Sequence, residues 1–193
     1  MKRLAVYCGS ATPTDPRYMA LAHDVGAALA QRGIGVVYGG GRAGLMGALA
    51  DGALGAGGEV IGVIPTALVG RELAHRGLTR LQVVDTMHQR KQAFTDLSDG
   101  FVTLPGGVGT LDELWEAISW AQLGYHAKPV GLLNGFGYYD GLLAFNAHMA
   151  EVGFVRRAHR EILISSNTLD ELLEKMADFT PARTVVQMRV DDL

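Results

Sequence analysis

Ile34-Gly35-Val36-Val37-Tyr38-Gly39-Gly40-Gly41-Arg42-Ala43-Gly44-Leu45-Met46-Gly47 carries the strongest structural signal in this chain. A short apolar run ends in three glycines, and an apolar helical pattern starts at Leu45. A strand that closes on glycines and opens a helix suits a phosphate: glycine lets the backbone come close, and the helix N-terminus offers free N–H groups at its positive end. Gly39, Gly41 and Gly44 fit the pattern G-x-G-x-x-G. Taken alone the fit is weak, because a tight strand-to-helix turn that binds nothing has the same spacing.

Working outward, the same alternation continues in both directions. Upstream, Leu4 to Cys8 is an expected strand, and Tyr18 to Gln31 a helix closed by Gly33. Downstream of the helix Leu45 to Leu54 come a strand from Val60 to Ile64, stopped by Pro65, and another from Leu81 to Val84. A helix from Met87 to Leu97, a strand from Phe101 to Leu104 and a helix from Leu111 to Leu123 follow. Val130 to Leu133, a helix from Tyr139 to Val152, a short strand from Ile162 to Ile164 and a helix from Leu169 to Met176 complete the pattern. Continuous apolar strands alternating with helices predict an α/β fold: a Rossmann-like, doubly wound parallel sheet flanked by helices on both faces. One domain is expected over residues 1–180, with residues 181–193 a loosely held tail. Ligands of such sheets bind beyond the carboxyl ends of the strands.

Bulk properties narrow the partners. The 193 residues are 48% hydrophobic and carry a formal net charge of −3, with no basic cluster, which argues against a nucleic-acid polymer but not against a small anion. Cys8 is the only cysteine, so no internal disulfide can form, and a reducing, cytoplasmic setting is expected. The apolar run after Lys2-Arg3 is too short for a signal peptide, and no stretch reaches the length of a membrane span. The 26 glycines are not periodic, and point to loops that approach something closely.

A second glycine loop, Pro105-Gly106-Gly107-Val108-Gly109-Thr110, also joins a strand to a helix. It is not a Walker A loop, since no lysine precedes Thr110. Two such loops on one sheet edge can cradle one phosphorylated ligand, with the Ser10 hydroxyl adding a contact from the end of the first strand. Dinucleotide binding is disfavoured. It wants the glycine motif after the first strand and an acid at the end of the next, whereas here the motif follows the second strand and Glu59 stands at a strand start. Near the loops, Arg90 and Lys91 place cations early in a helix, against its dipole, which suggests a purpose other than helix stability. A bond from Arg90 to a neighbouring carboxylate is the plain alternative. Glu113 has a strong plain alternative too. Thr110-x-x-Glu113 is a capping-box pattern, as are Thr86-x-x-Gln89 and Thr168-x-x-Glu171. Asp112 and Glu116 are further carboxylates on the same helix.

Met87-His88-Gln89-Arg90-Lys91 followed by Pro105-Gly106-Gly107-Val108-Gly109-Thr110-Leu111-Asp112-Glu113 resembles the Lonely Guy (LOG) family of cytokinin riboside 5′-monophosphate phosphoribohydrolases, often labelled lysine decarboxylases. The resemblance extends over nearly the whole chain, through Gly44-Leu45-Met46-Gly47, Ile64-Pro65, Arg71-Glu72, Trp120-Ala121-Gln122-Leu123-Gly124 and Lys128-Pro129. It implies that Arg90 and Glu113 are the catalytic pair and that Glu72 lies at the substrate pocket. The glycine loops would hold the 5′-phosphate and ribose, so Ser10, Gly40, Gly41, Gly44, Met46, Gly47, Lys91, Gly106, Gly107, Val108, Gly109 and Thr110 are candidate substrate-binding residues. Two departures, Val108 where plant members usually have tyrosine and Asp112 where they usually have glutamate, bear on base preference and remove no catalytic group.

The implied reaction cleaves the bond between base and ribose in a nucleoside 5′-monophosphate such as AMP or isopentenyl-AMP. Positive charge grows on the ribose, and Glu113 would stabilise it and orient water, with Arg90 holding Glu113 ionised. Water is the second substrate, so no cofactor or metal is expected, and the six histidines show no ligand spacing. The rival from another class is a carrier of a phosphorylated ligand, resembling molybdenum-cofactor carriers. A decarboxylase would need pyridoxal phosphate on a lysine that nothing here sets up. Finally, Leu114, Ile118 and Ala121 form one face of their helix and Trp115 and Trp120 widen it, more than a sheet alone can cover. The resembling family is dimeric, and a homodimer on this helix is expected.

Overall fold

The computed structural model describes residues 1–69 and 74–184. Its strands are β1 (Arg3–Tyr7), β2 (Gly35–Tyr38), β3 (Val60–Pro65), β4 (Arg80–Val84), β5 (Gly100–Thr103), β6 (Val130–Leu133) and β7 (Leu163–Ser166). The helices are α1 (Arg17–Gln31), α2 (Gly44–Gly55), α3 (Thr66–Val69), α4 (Met87–Leu97), α5 (Val108–Leu123), α6 (Asp140–Glu151), α7 (Arg157–Arg160) and α8 (Leu169–Ala177). The strands form one parallel sheet in the order β4-β3-β2-β1-β5-β6-β7. The chain winds outward from β1 to β4, then crosses back to lay β5 on the other side of β1. That reversal leaves a crevice at the carboxyl ends of β1 and β5, where such sheets bind ligands. The seam is tight: Leu4 lies opposite Gly100 and Tyr7 opposite Thr103, and past the strand ends Gly9 N–H donates to Pro105 O at 3.1 Å.

Side chains alternate into two cores, one on each face. Leu4, Val6, Val36 and Tyr38 pack with α1, α2 and α8, while Ala5, Tyr7, Val37 and Phe101 pack with α4 and α5. Burial on both faces explains the unbroken apolar strands. The edge strand β4 is the exception, mostly exposed although apolar at Leu81 and Val83. The number of glycines points to loops, but not all of them serve loops. A Cβ on Gly26 would sit 2.1 Å from Leu49 O and one on Gly52 2.0 Å from His23 O, so these two glycines let α1 and α2 touch backbone to backbone.

Helix starts depart from expectation in one place that matters. Thr86 caps α4 with a complete capping box to Gln89. α5, however, begins at Val108 rather than Leu111, with Gly107 as its N-cap, so Thr110 is already inside the helix and Thr110-x-x-Glu113 is no capping box. Thr168 caps α8 without a side-chain bond, and Glu171 accepts a hydrogen bond from Ser166 Oγ at 2.6 Å instead. Of the expected tail, residues 181–184 are held against the domain: the Arg183 carbonyl lies 3.0 Å from His159 Nε2, and a small void beside it is lined by Ala121, His126 and Thr184.

Candidate active site

The crevice at the β1/β5 seam encloses a cavity of about 270 Å³. Its walls come from five elements. Cys8, Gly9 and Ser10 follow β1 and Gly39 follows β2; Met46 stands on α2, Arg90 on α4, and Gly107 caps α5, which carries Val108, Gly109, Thr110 and Glu113. Sequence positions from 8 to 113 therefore meet in one place because the strand order reverses there.

α5 points its N-terminus into this cavity. The Leu111 N–H donates to Gly107 O at 3.1 Å, which leaves Val108, Gly109 and Thr110 as the amides that a helix start does not satisfy. The N-cap, Gly107, has no side chain to cap them. A Cβ added to Gly107 or Gly109 would meet nothing within 4 Å, so the protein itself does not require glycine there. Open space over free amides at a positive helix end fits an anion.

The first glycine loop is built differently. Gly39 makes room for Arg90: a Cβ there would lie 2.3 Å from Arg90 Nη2 and 2.7 Å from Met46 Sδ. Gly44, with φ of 57°, presses on the Ser10 carbonyl region, and a Cβ on Gly47 would strike Arg42 O at 2.0 Å. The Met46 N–H is spent on Gly9 O at 3.3 Å. Gly40, with φ of 78°, and Gly41 use their carbonyls on His75 N–H and Tyr38 Oη–H. Gly106 leaves space for the Thr110 hydroxyl, and its carbonyl accepts from Tyr138 Oη at 2.8 Å. It faces an adjoining, mainly apolar hollow of about 190 Å³ beside Tyr18, Leu45 and Tyr138.

Arg90 is 5% exposed and held in a fixed plane. Its Nε–H donates to Val63 O and its Nη2–H to Gly39 O, both at 3.1 Å, while the guanidinium lies 5.5 Å from the Phe94 ring centroid. Carbonyls carry no formal charge, so with these partners Arg90 brings a cation to the cavity. Glu113 brings the negative one, and its field reaches β1. Burial pushes the Cys8 thiol far up and Glu113 adds to it, so Cys8 is kept protonated at neutral pH. Tyr7 is raised the same way, by burial first and then by Glu113 and Glu116.

Eight expected site residues meet here: Ser10, Met46, Arg90, Gly107, Val108, Gly109, Thr110 and Glu113. Gly40, Gly41, Gly44, Gly47 and Gly106 stand behind the wall in the packing just described. Lys91 also stands apart, bonded to Asp112 and Glu116. Glu72 lies outside the described residues. Sequence reasoning passed over Cys8 and Gly9 as wall residues, although the end of β1 is where a doubly wound sheet places its ligand.

Comparison with known proteins places the chain among related sequences. Residues 46–176 match the family model described as possible lysine decarboxylase. A probable cytokinin riboside 5′-monophosphate phosphoribohydrolase of Oryza sativa subsp. japonica is 45% identical over 180 residues, covering 93% of this chain and 79% of the relative. The cytokinin riboside 5′-monophosphate phosphoribohydrolase LOG3 of Arabidopsis thaliana is 44% identical over 189 residues, covering 98% and 88%. Among solved structures, the molybdenum cofactor carrier protein of Chlamydomonas reinhardtii superposes with a TM-score of 0.68 at 19% identity, covering 92% of this chain and 98% of that one. The molybdenum cofactor binding protein of Rippkaea orientalis gives 0.66 at 21%, with 92% and 98% covered. At such identities these two structures share the fold alone.

Proposed function

The chain belongs to the Lonely Guy family, and from that premise we propose that it is a phosphoribohydrolase: it cleaves the N-glycosidic bond of nucleoside 5′-monophosphates, AMP or isopentenyl-AMP among them, to free base and ribose 5-phosphate. The observation that carries this reading is one cavity in which the open amides of α5 face the same space as Arg90 and Glu113. The 5′-phosphate sits on the amides of Val108, Gly109 and Thr110 with the Ser10 hydroxyl beside it. Phosphate anchoring fixes the ribose, and its binding energy goes into orienting the anomeric carbon toward Glu113. As the bond to the base stretches, the carboxylate stabilises the cationic ribose and orients the attacking water. Arg90, immobilised by Val63 O and Gly39 O, holds Glu113 in place. A carrier needs the cradle but has no use for this carboxylate.

The active form is a homodimer. α6 packs on the core only through the half-buried Leu142 and Leu143, and Phe145, Phe154, Leu123 and Tyr125 are exposed. On α5, Leu114 and Ala117 are buried against the sheet while Trp115 and Trp120 are only half-buried. An apolar surface of this extent fits a second copy. The setting is cytoplasmic, in keeping with a single buried thiol at Cys8. Among the described residues no helix is long and apolar enough to cross a membrane.

Base release measured on AMP, isopentenyl-AMP, GMP, CMP and adenosine tests the reaction. AMP or its prenylated form should turn over, and adenosine should be far poorer in kcat/KM; equal rates on AMP and adenosine would remove the phosphate cradle from the account. Sedimentation at micromolar concentration tests assembly, and a fully active monomer would end the dimer proposal.

A further inference from the structure

Arg90 and Lys91 are consecutive on α4, yet they serve different places. Arg90 lines the cavity; Lys91 turns to α5, where its Nζ lies 2.8 Å from Asp112 Oδ2 and 3.0 Å from Glu116 Oε2. Asp112 and Glu116 are one helical turn apart, so a single ammonium grips both. Glu113 stands between them in sequence and faces the cavity. Where α4 meets α5 there are thus two tiers: Arg90 and Glu113 on the inside, and a cation between two carboxylates behind them.

We propose that Lys91 is a positioning residue for the Arg90–Glu113 pair, fixing α4 to α5 through Asp112 and Glu116 rather than binding the substrate. The proposal rests on the hydrolytic reading above. The lysine side chain is only 13% exposed, and Glu116 is 24% exposed, so this bridge is more shielded than an ordinary surface pair. Burial alone would lower the Lys91 ammonium. Hydrogen bonds to Asp112 and Glu116 outweigh it and hold its pKa above the usual lysine value, so it stays charged at neutral pH. A lysine committed to two carboxylates and standing outside the cavity wall is not free to reach an anion held on the α5 amides. Three carboxylates within five residues would otherwise repel one another, and Lys91 offsets two of them.

Among the described residues, Glu113 shares the cavity with Arg90 of α4, acts on Tyr7 and Cys8 from α5, and stands between Asp112 and Glu116, the two carboxylates that Lys91 holds. Removing Lys91 takes a positive charge from this set, so the remaining carboxylates accept protons more readily. The acid limb of the pH–rate profile then moves to higher pH.

The test compares wild type with Lys91→Met, Lys91→Arg and the double variant Asp112→Asn, Glu116→Gln, using AMP as substrate. For a positioning role, Lys91→Met loses on the order of tenfold or more in kcat, KM stays near the wild-type value, and the acid limb shifts upward. Lys91→Arg restores most of the rate. The double variant, which keeps the lysine but removes its grip, falls like Lys91→Met. A raised KM at unchanged kcat in Lys91→Met, or a fully active double variant, overturns the proposal and assigns Lys91 to the substrate or to no role. If Lys91→Met does not fold, the double variant decides alone. A wild type that releases no base from AMP overturns the hydrolytic reading and this proposal with it, whereas an active wild type with unaffected variants overturns only the proposal.

Discussion

Two glycine loops open onto the same sheet edge, and they spend their glycines in opposite ways. In residues 39–47 the glycines that carry the loop answer needs of the protein: Gly39 clears the Arg90 guanidinium, Gly40 takes a positive φ, Gly44 presses on Ser10, and Gly47 clears Arg42 O. In residues 105–110 only Gly106 does so, while Gly107 and Gly109 face open space. The first loop is scaffold and the second is cradle. A glycine-rich motif alone cannot tell these apart, because what separates them is the neighbour a Cβ would meet.

The largest effect belongs to the residues between the loops. Glu113→Gln and Arg90→Ala should each cost at least about 10²–10³-fold in kcat. Glutamine keeps the size and shape of glutamate, so the variant should remain folded, as thermal melting would show. A Glu113→Gln enzyme that turns over normally would make the carboxylate dispensable and break the comparison at its centre. Next comes the scaffold loop. Gly39→Ala drives a methyl against Arg90 Nη2, so a drop of about 10²-fold in kcat is expected from the displaced guanidinium. A stability loss of about 1–3 kcal/mol, read by chemical denaturation, should accompany it. If both stay at wild-type values, the loop does not place Arg90. The cradle should behave in the reverse manner. Gly109→Ala adds a methyl to empty space in a helix, so the free protein should keep or gain stability, by up to about 1 kcal/mol. Its KM for AMP should rise severalfold, and an unchanged KM would mean that no phosphate lies there. The smallest effect is expected at Cys8. Its thiol is held protonated by burial, with Glu113 contributing, so Cys8→Ala should leave the pH–rate profile between pH 6 and 9 unaltered. The native protein should resist thiol reagents until it is unfolded.

Much of this was legible in the residues. Apolar strands alternating with helices specify the parallel sheet, and the rule that ligands sit at carboxyl ends picks the right edge. What the spacing could not give was where α5 begins. The pattern Thr110-x-x-Glu113 satisfies a capping box on paper, but Gly107 adopts extended backbone and takes the cap, so the helix starts three residues early. That shift moves Thr110 inside the helix. The destination of Lys91 was equally hidden. Its partners lie 21 and 25 residues away on another helix, and no local pattern encodes which carboxylate a lysine meets across a packed interface. The helix glycines Gly26 and Gly52 were obscured for the same reason, since their purpose exists only once α1 and α2 touch.

The β1/β5 seam also bears on how the molecule is made. The seam ties the first strand to a segment nearly a hundred residues later, as the bonds from the Lys2 and Arg3 amides to Asp99 make plain. During synthesis at about 5–20 residues per second, β1 therefore waits on the order of 5–20 s with one edge unpaired before its partner leaves the ribosome. In that interval β1 to β4 can assemble with α1 and α2, but an open apolar edge remains available to any other strand. Pairing β5 closes the crevice and passes the open edge on to β5, which waits in turn for β6, so the ligand cavity can take shape while β6 and β7 are still to be made and the sheet still has an unpaired edge.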